Sequence, residues 1–466
     1  MLPQMNLVAP KVAAPLDEDF RPGVLANHAF LEAARASGRA VPLAVALERG
    51  SGLASVVRTE VLDPSAPGAE ANLPYVERLV KTLLWARGGW KVTVGGPREV
   101  GEYIRNAYSP GGVREFDAPF MGGVYEHDFT VEVCDADSVP TAKEQSVAIG
   151  RHLDGCRIGF DAGASDRKVS AVIEGESVFE EEVVWNPKVQ ADPGYHYHHI
   201  QSALHMAAAH MPRVDAIGVS SAGIYIDNRV RVASLFRGIA KDRFDAEVAD
   251  LFLRIGREWG VPIEVANDGD VTALAGSMNL ETNAVLGIAL GSSEAGGYVT
   301  PEGNITGWLN ELAFVPVDFS PSAPVDEWSG DLGCGVQYFS QEAVIRLAPK
   351  AGIEIDPSLA TPAEKLKVVQ ELHARGDERA RLIFETIGVY LGYGVAYYAD
   401  FYDINQLLIL GRVTSGEGGP IILERAQEVL RTEFPELAAK VRMDLPDEMA
   451  RRVGQAVAAA SLPEIG

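Results

Sequence analysis

Short apolar runs, each closed by small, acidic or amide residues, recur along the second two-thirds of the chain. Runs of this length bounded by turn residues predict buried strands, and apolar positions spaced three and four apart predict helices. The predicted strands lie at 158–160, 169–173, 177–184, 215–219 and 265–266, with helices over 197–210 and 244–260. This alternation predicts one lobe of the type βββαβαβα.

The first third of the chain has a different pattern. Residues 1–22 are rich in proline and aperiodic, which predicts an arm or an oligomer contact. Beyond them the pattern predicts a strand hairpin over 41–62, a helix over 75–85, a strand over 90–94 and a helix over 98–108. These elements form an α/β module with no assigned role. A ligand at its Gly95-Gly96 turn is one interpretation, but packing or dimerisation is favoured.

The last part of the chain predicts a second lobe that begins near residue 284. It holds a long helix over 380–402, a strand near 407 and a final helix over 449–460 that packs back against the first lobe. Pro140 and the mostly polar run 141–146 predict a linker between the N-terminal module and the first lobe. The predicted organisation is an N-terminal module over 1–150, a first lobe over 151–283 and a second lobe over 284–466.

Two of the predicted strands end in residues suited to phosphoryl transfer, a reaction that depends on positioning and charge stabilisation. Asp161 follows the first strand and can hold Mg²⁺, directly or through water. The small residues of the turn that follows leave backbone open to phosphate. Asp268 follows the later strand and can take the proton of an acceptor hydroxyl that Asn267 fixes. The turn residues are Gly163, Ala164 and Ser165.

Each motif alone is common in ordinary turns, but five motifs occur in an order that resembles a ROK family sugar kinase (repressor, open reading frame, kinase). The resemblance runs from about residue 155 to the C-terminus. The segments that carry it are Asp161-Ala-Gly-Ala-Ser165, Asn267-Asp268-Gly-Asp270, Leu290-Gly-Ser-Ser-Glu-Ala-Gly-Gly297, Asn310-Glu311-Leu-Ala-Phe314 and Leu408-Ile-Leu-Gly411-Arg-Val-Thr-Ser415.

The resemblance implies a two-lobed α/β fold of the actin and hexokinase type (ribonuclease H-like), with an additional N-terminal α/β module. It further implies a homo-oligomer that transfers phosphate from ATP, with Mg²⁺ as cofactor, to a sugar or sugar-like polyol. Asn310 and Glu311 would then bind the acceptor beside Asn267, and Gly411 would lie near adenosine. The second phosphate loop would consist of Gly291, Ser292 and Ser293. A dimer is the expected assembly.

The departures from the family pattern change the expected site. Family members usually carry zinc on one His and three Cys, whereas Phe314 stands at the His position and only Cys334 remains of the thiols. One thiolate cannot form a tetrahedral site, so no zinc is expected. The lost His also usually contacts sugar hydroxyls, and Val336 replaces a glutamate with a similar duty, so plain glucose should bind poorly. Without zinc, packing should hold residues 311–334, with Phe319 and Trp328 as anchors.

Composition restricts the function classes. The 466 residues include 65 acidic and 41 basic side chains, a formal charge of -24 that opposes binding to nucleic acid and to anionic membranes. No basic recognition helix is visible among the first 150 residues, which disfavours a repressor. Three cysteines and the absence of a long apolar run favour a cytoplasmic protein. A non-catalytic carbohydrate-binding or regulatory protein on the same fold is the alternative to the kinase.

Overall fold

The structure is a computed structural model that describes residues 5–144, 149–163, 166–446 and 448–465, with side chains left undescribed over 448–453. Ala164 and Ser165 of the predicted first phosphate loop lie outside the described residues. The described residues form three main sheets, which follow one another along the sequence and have four, five and four strands. Among the described residues, no helix is long and apolar enough to cross a membrane.

The N-terminal module is a four-stranded sheet in the order β2-β1-β3-β4, covered by helices. The predicted hairpin, central helix and following strand are confirmed, because β1 pairs antiparallel with both β2 and β3. Strand β4 then adds parallel to β3. The elements are α1 Gly23–Ala36, β1 Ala40–Glu48, β2 Ala54–Leu62, α2 Asn72–Arg87, β3 Lys91–Gly95, α3 Arg98–Ala107, α4 Asp117–Tyr125 and β4 Thr130–Cys134.

The glycine turn of this module is closed by the chain's own residues. A Cβ added at Gly95 would meet Cγ1 of Val139 at 2.5 Å, and the Gly96 amide donates to the Cys134 carbonyl at 3.0 Å. The segment after β4 therefore fills the space where a ligand could have approached. Of the two interpretations of this turn, the structure favours packing.

Lobe I is built on a five-stranded sheet in the order β11-β8-β5-β6-β7. Strands β11, β8 and β5 run parallel, and β6 and β7 extend the sheet antiparallel. The helix predicted over 244–260 is interrupted by a wide π-helical turn, Phe244–Val248. The elements are β5 Cys156–Ala162, β6 Asp166–Ile173, β7 Glu176–Val184, α5 Pro193–Ala208, β8 Ala216–Ser221, β9 Ile224–Ile226, β10 Arg229–Val232, α6 Lys241–Arg243, α7 Leu251–Trp259, β11 Ile263–Asn267 and α8 Asp268–Asn279.

Lobe II is built on a four-stranded sheet in the order β13-β12-β14-β15. The predicted long helix is α11, which is buried along most of its length, and the predicted strand near 407 is β14. The elements are β12 Val285–Leu290, β13 Glu294–Val299, α9 Gln341–Lys350, α10 Pro362–Ala374, α11 Glu378–Ala399, β14 Gln406–Leu410, α12 Gly418–Glu433, α13 Pro435–Lys440, β15 Arg442–Asp444 and α14 Glu448–Ala460.

The final helix returns to lobe I, as the sequence predicted. Its backbone lies so close to β5 and β8 that only glycine fits opposite it. A Cβ at Gly159 would collide with the Ala456 carbonyl, and one at Gly218 would collide with the Ala459 carbonyl. The C-terminus thereby fastens the sheet whose strand ends carry the candidate chemistry.

The N-terminal arm packs along lobe II. Asp17 accepts hydrogen bonds from the Tyr390 hydroxyl and, at 3.0 Å, from the Lys350 ammonium. Phe20 is buried edge-on against the ring of Tyr390, with centroids 4.7 Å apart. An intramolecular contact thus accounts for the described part of the arm, and the expected dimer stays a prediction.

Candidate active site

Two acidic residues meet at one edge of the lobe I sheet. Because β5, β8 and β11 are parallel neighbours, their carboxyl ends share that edge. Asp161 on β5 lies opposite Ser220 on β8, whose hydroxyl donates to its Oδ1 at 2.9 Å. Asp268 follows β11 directly. Asp161 and Asp268 therefore lie at the same edge of the sheet, at the ends of two strands separated by β8.

Asp268 is held by the start of helix α8. Asn267 caps this helix, with its Oδ1 accepting from the Gly269 amide at 2.8 Å and its Nδ2 donating to the Gly223 carbonyl at 2.7 Å. An N-cap side chain that satisfies free amides fixes the first turn of a helix. The role of Asn267 visible in the structure is thus to position Asp268.

The surroundings of Asp268 raise its proton affinity. Burial, followed by the negative charge of Asp161, raises the pKa of Asp268 to about 6. Burial likewise raises the pKa of Asp161. A carboxylate with a pKa of about 6 is still deprotonated near neutral pH and is a stronger base than an ordinary aspartate. Asp268 has the properties that a general base requires.

Asp270 and Glu311 are two further carboxylates close enough to Asp268 to interact with its charge. Burial raises the pKa of Asp270 to about 7, and burial together with the charge of Asp268 raises the pKa of Glu311 to about 7. Asp270 accepts from the Tyr298 amide at 3.0 Å and from the Asn310 side-chain amide at 2.9 Å. Asp268, Asp270 and Glu311 form the acidic cluster of the site.

Asn310 is part of the support of this cluster. It is 2 % exposed, and its Oδ1 accepts from the Tyr402 hydroxyl at 2.9 Å. Its backbone is left-handed, with φ of 50°. Both polar ends of the side chain thus contact protein, so the predicted acceptor contact of Asn310 stays a prediction. Tyr402 was not identified from the sequence, because it follows α11 as one of several buried tyrosines and nothing in the pattern distinguishes the one that reaches the site.

The two predicted glycine loops of lobe II lie side by side. Gly411 follows β14 with φ of 99°, and a Cβ there would collide with the Leu290 carbonyl at the end of β12. Only glycine permits this approach. Gly291 accepts from the Gln341 amide at 2.8 Å, while Ser292 and Ser293 are exposed. In lobe I the Gly163 carbonyl accepts from the Trp185 indole at 2.8 Å.

A pocket of about 360 Å³ opens beside the loop after Gly411. Helices α10 and α11 and the start of α12 enclose it, and Gln370 joins α10 to the loop by donating to the Arg412 carbonyl at 2.9 Å. Both ring nitrogens of His373 are buried without a partner among the described residues. The lining residues are Lys367, Gln370, Glu371, His373, Ala374, Phe384, Ser415, Gly416, Glu417 and Gly418.

The N-terminal module contacts the segment that carries Glu311 of the acidic cluster. The sequence did not indicate this contact. The carbonyls at the end of α2 accept from the segment that carries Glu311: the Asn310 amide donates to Ala86 and the Glu311 amide to Trp85, both at 3.0 Å. Phe314 then stacks on the Trp85 ring with centroids 4.1 Å apart. The module therefore holds the segment from Asn310 to Phe314 in place.

A buried ion network, the Asp331 network, fixes the segment where family members bind zinc. Asp331 is paired with Arg78 and with Arg114 at 2.8 Å each, and with Lys81 at 3.4 Å. Burial would raise the pKa of Asp331, but these three positive charges outweigh it and hold the pKa well below its usual value. Ion pairs to the N-terminal module thus join this segment to the rest of the chain.

One of the two predicted anchors of this segment is wrong. Trp328 is 73 % exposed and so contributes little packing. Phe319 does pack as expected, at 6.3 Å from the Tyr397 ring. An isolated tryptophan between polar residues offers no periodicity from which its burial could be predicted.

We expect the purified protein to contain no stoichiometric zinc, and a chelator to leave its melting temperature unchanged. Burial raises the pKa of Cys334 to about 12, and a single thiol cannot supply the four ligands of a structural zinc site. Elemental analysis that finds one tightly held zinc per chain would contradict this prediction.

Comparison with known proteins gives structural matches alone, since no family model and no curated protein matches the chain. A ROK hexokinase from Thermus thermophilus has a TM-score of 0.51 at 18% identity, over 66% of this chain and 97% of that one. A ROK family transcriptional regulator, a homologue of the E. coli MLC protein, has a TM-score of 0.50 at 16% identity, over 66% of this chain and 79% of the regulator.

These matches confirm the fold that the motifs predicted. The chain has the two-lobed, actin-like fold of ROK proteins, and about a third of it lies outside the match with the hexokinase. Kinase and regulator share that fold at nearly equal similarity. The fold therefore does not decide the activity, and the site must be argued from its own residues.

Proposed function

We propose that the protein phosphorylates a hydroxyl of a sugar or sugar-like polyol, with ATP as donor, Mg²⁺ as cofactor and Asp268 as general base. The observation that carries the proposal is the pair of half-buried aspartates at one sheet edge, with the pKa of Asp268 raised to about 6. A protein that only bound carbohydrate would gain nothing from two repelling carboxylates. A reaction that needs a metal-binding acid and a base needs both.

In the proposed step, the acceptor hydroxyl gives its proton to the Asp268 carboxylate while its oxygen bonds to the γ-phosphorus. The bond from that phosphorus to the bridging oxygen breaks, and ADP leaves. Asn267 holds the first turn of α8, so that the carboxylate stays aimed at the cleft. Glu311, beside Asp268, would accept a hydrogen bond from a second hydroxyl of the acceptor and so fix the orientation of the sugar ring.

Asp161 would hold Mg²⁺, directly or through water. Its carboxylate offers the hard oxygen donors that Mg²⁺ prefers, and Mg²⁺ commonly takes one or two carboxylates together with phosphates and water. A bound Mg²⁺ would neutralise charge on the phosphates. The Ser220 hydroxyl keeps the Asp161 side chain in one orientation.

The pocket beside Gly411 suits the nucleoside part of ATP. Its volume of about 360 Å³ lies in the range of small-molecule sites. The exposed side chains of Lys367 and Glu371 line it and can form hydrogen bonds to a base or a ribose. The exposed Ser292 and Ser293, with Gly163 across the cleft, would contact the phosphates, as would Ala164 and Ser165.

Filling this pocket should weaken ATP binding. Ala374 is exposed and lines the pocket, so Ala374→Trp places an indole in the space assigned to the nucleoside. We expect the KM for ATP to rise by about tenfold or more, equivalent to about 1.4 kcal/mol. The matched control is Ala360→Trp, an exposed alanine outside the pocket lining. Equal KM values in both variants would place the nucleotide elsewhere.

The alternative function is a non-catalytic carbohydrate-binding or regulatory protein. Phe314 and Val336 favour it, because each removes a polar group that family members direct at sugar. An ADP-release assay with Mg²⁺-ATP and a panel of hexoses, amino sugars and cyclitols separates the two functions. Acceptor-dependent release supports the kinase, whereas sugar binding without any release supports the alternative.

A further inference from the structure

Four aromatic side chains form one cluster next to the acidic cluster. The Trp85 ring lies at its centre, 5.0 Å from Phe120, 6.3 Å from Phe116 and 4.1 Å from Phe314. Trp85 is fully buried, and its indole nitrogen donates to Asp117 at 3.0 Å. The three phenylalanines are only half-buried. Phe116, Phe120 and Phe314, backed by Trp85, are called the aromatic wall below.

The aromatic wall begins one turn away from the proposed acceptor contact. The Phe314 amide donates to the Glu311 carbonyl at 3.2 Å, so ring and carboxylate leave the same short 3-10 turn. Glu311 in turn lies near enough to Asp268 for the two charges to repel. The wall and the acidic cluster are therefore adjacent parts of one surface.

The other phenylalanines come from helix α4, which also faces lobe I. Glu126, immediately after α4, pairs with Arg229 of β10 at 2.9 Å. Ile224 of β9 is buried in the same apolar cluster as Trp85 and Met121 of the module. The module thus spans from lobe II to the β9–β10 hairpin, whose preceding Gly223 carbonyl accepts from Asn267. The module that supplies Phe116 and Phe120 therefore contacts both lobes.

The charges around the acidic cluster restrict the ligand. Burial and neighbouring carboxylates raise the pKa of both Asp268 and Glu311, with no positive group contributing to either shift among the described residues. An acceptor with its own negative charge would be repelled there. Half-exposed aromatic rings in contact with one another, beside a few convergent polar groups, are the usual composition of a small-molecule site.

From this arrangement we infer that the acceptor is an uncharged sugar carrying an apolar substituent, which lies on the aromatic wall while its hydroxyls face Asp268 and Glu311. This inference rests on the proposed function, since it names the substrate class of the same site. Phe116 and Phe120, supplied by the N-terminal module, are specificity-determining residues. Phe314 is a third specificity-determining residue, and it stands where family members have a polar side chain that contacts sugar.

The test compares phenyl and methyl glycosides of several hexoses, both anomers of each, by calorimetry with a non-hydrolysable ATP analogue present. For at least one hexose, the phenyl glycoside should bind about tenfold or more tightly than the methyl glycoside, the range for adding an apolar group to a fitted pocket. Phe120→Ala should abolish that preference. The matched control is Phe129→Ala, a half-buried phenylalanine of the same module that stacks on Tyr108 instead.

Equal binding of phenyl and methyl glycosides, binding of neither, or a preference that survives Phe120→Ala would overturn the inference. Failure of the proposed function is recorded separately, by ADP release with the same probes. Wild-type protein that prefers phenyl glycosides but transfers no phosphate would retain the aromatic wall as a binding site and refute the kinase. Phosphate transfer to hexoses without any preference for phenyl glycosides would support the kinase and refute the aromatic wall as a binding site.

Discussion

Replacing Asp268 by Asn should reduce turnover by about 10²-fold or more while ATP affinity stays nearly unchanged, the pattern expected when general-base catalysis is lost. The amide keeps the shape of the side chain and cannot take a proton. The measurement is ADP release for turnover, together with calorimetric binding of ATP. Asp242→Asn makes the same change at an exposed position of lobe I and should leave turnover at the wild-type level.

The same base predicts a pH dependence. A general base works when it is deprotonated, and burial with the charge of Asp161 raises the pKa of Asp268 to about 6. Turnover should therefore rise as the pH increases through about 6 and fall on the acid side. The residual activity of the Asp268→Asn protein should lack this step. Near-normal turnover in that variant would exclude Asp268 from the role.

Replacing Asp331 by Asn should destabilise the fold by about 3–5 kcal/mol, the usual cost of removing one partner from a buried ion network. The side chains of Asp331, Arg114 and Lys81 are 7%, 5% and 0% exposed, so water cannot replace the lost charge. Denaturant unfolding followed by circular dichroism measures the change. The matched control is Glu102→Gln, whose pairs with Arg98 and Arg105 are exposed and should contribute little.

The Asp331 network also predicts the acid sensitivity of the fold. The pKa of Asp331 is lower in the folded chain than in the unfolded one, because three cations outweigh the effect of burial. Its stabilisation is therefore fully present above the unfolded pKa of about 4 and disappears as the pH falls through the folded value. The Asp331→Asn protein should show a smaller loss of stability below about pH 4. Identical acid profiles in variant and wild type would contradict the assignment.

The sequence predicted that Asp161 and Asp268 follow strands, because that placement follows from local patterns. Asp161 and Asp268 each follow an apolar run, and parallel strands bring their carboxyl ends to one edge. Gly411 was likewise recognised beside a strand, and its left-handed backbone explains why glycine stands there. Domain boundaries at 150 and 283 stay predictions, as do the functional roles of the site residues.

The sequence could not predict the contacts that join the N-terminal module to the site. The hydrogen bond from Glu311 to the Trp85 carbonyl and the ion pair of Asp331 with Arg78 connect residues more than two hundred positions apart. The sequence of helix α2 shows that one face of the helix is apolar, but it does not show which part of the chain packs against that face. The wrong prediction for Trp328 has a related cause, since neighbouring residues do not determine whether a loop side chain meets the core.

The most direct test of the account follows the phosphate itself. The protein is incubated with Mg²⁺ and ATP labelled at the γ-phosphate, with sugars and glycosides as acceptors, and the products are separated by chromatography. We expect label to appear on one class of sugar hydroxyl and Asp268→Asn to slow its appearance by about 10²-fold or more. If ATP and a sugar both bind but no label reaches any sugar, the chain is not a sugar kinase and the non-catalytic function is correct.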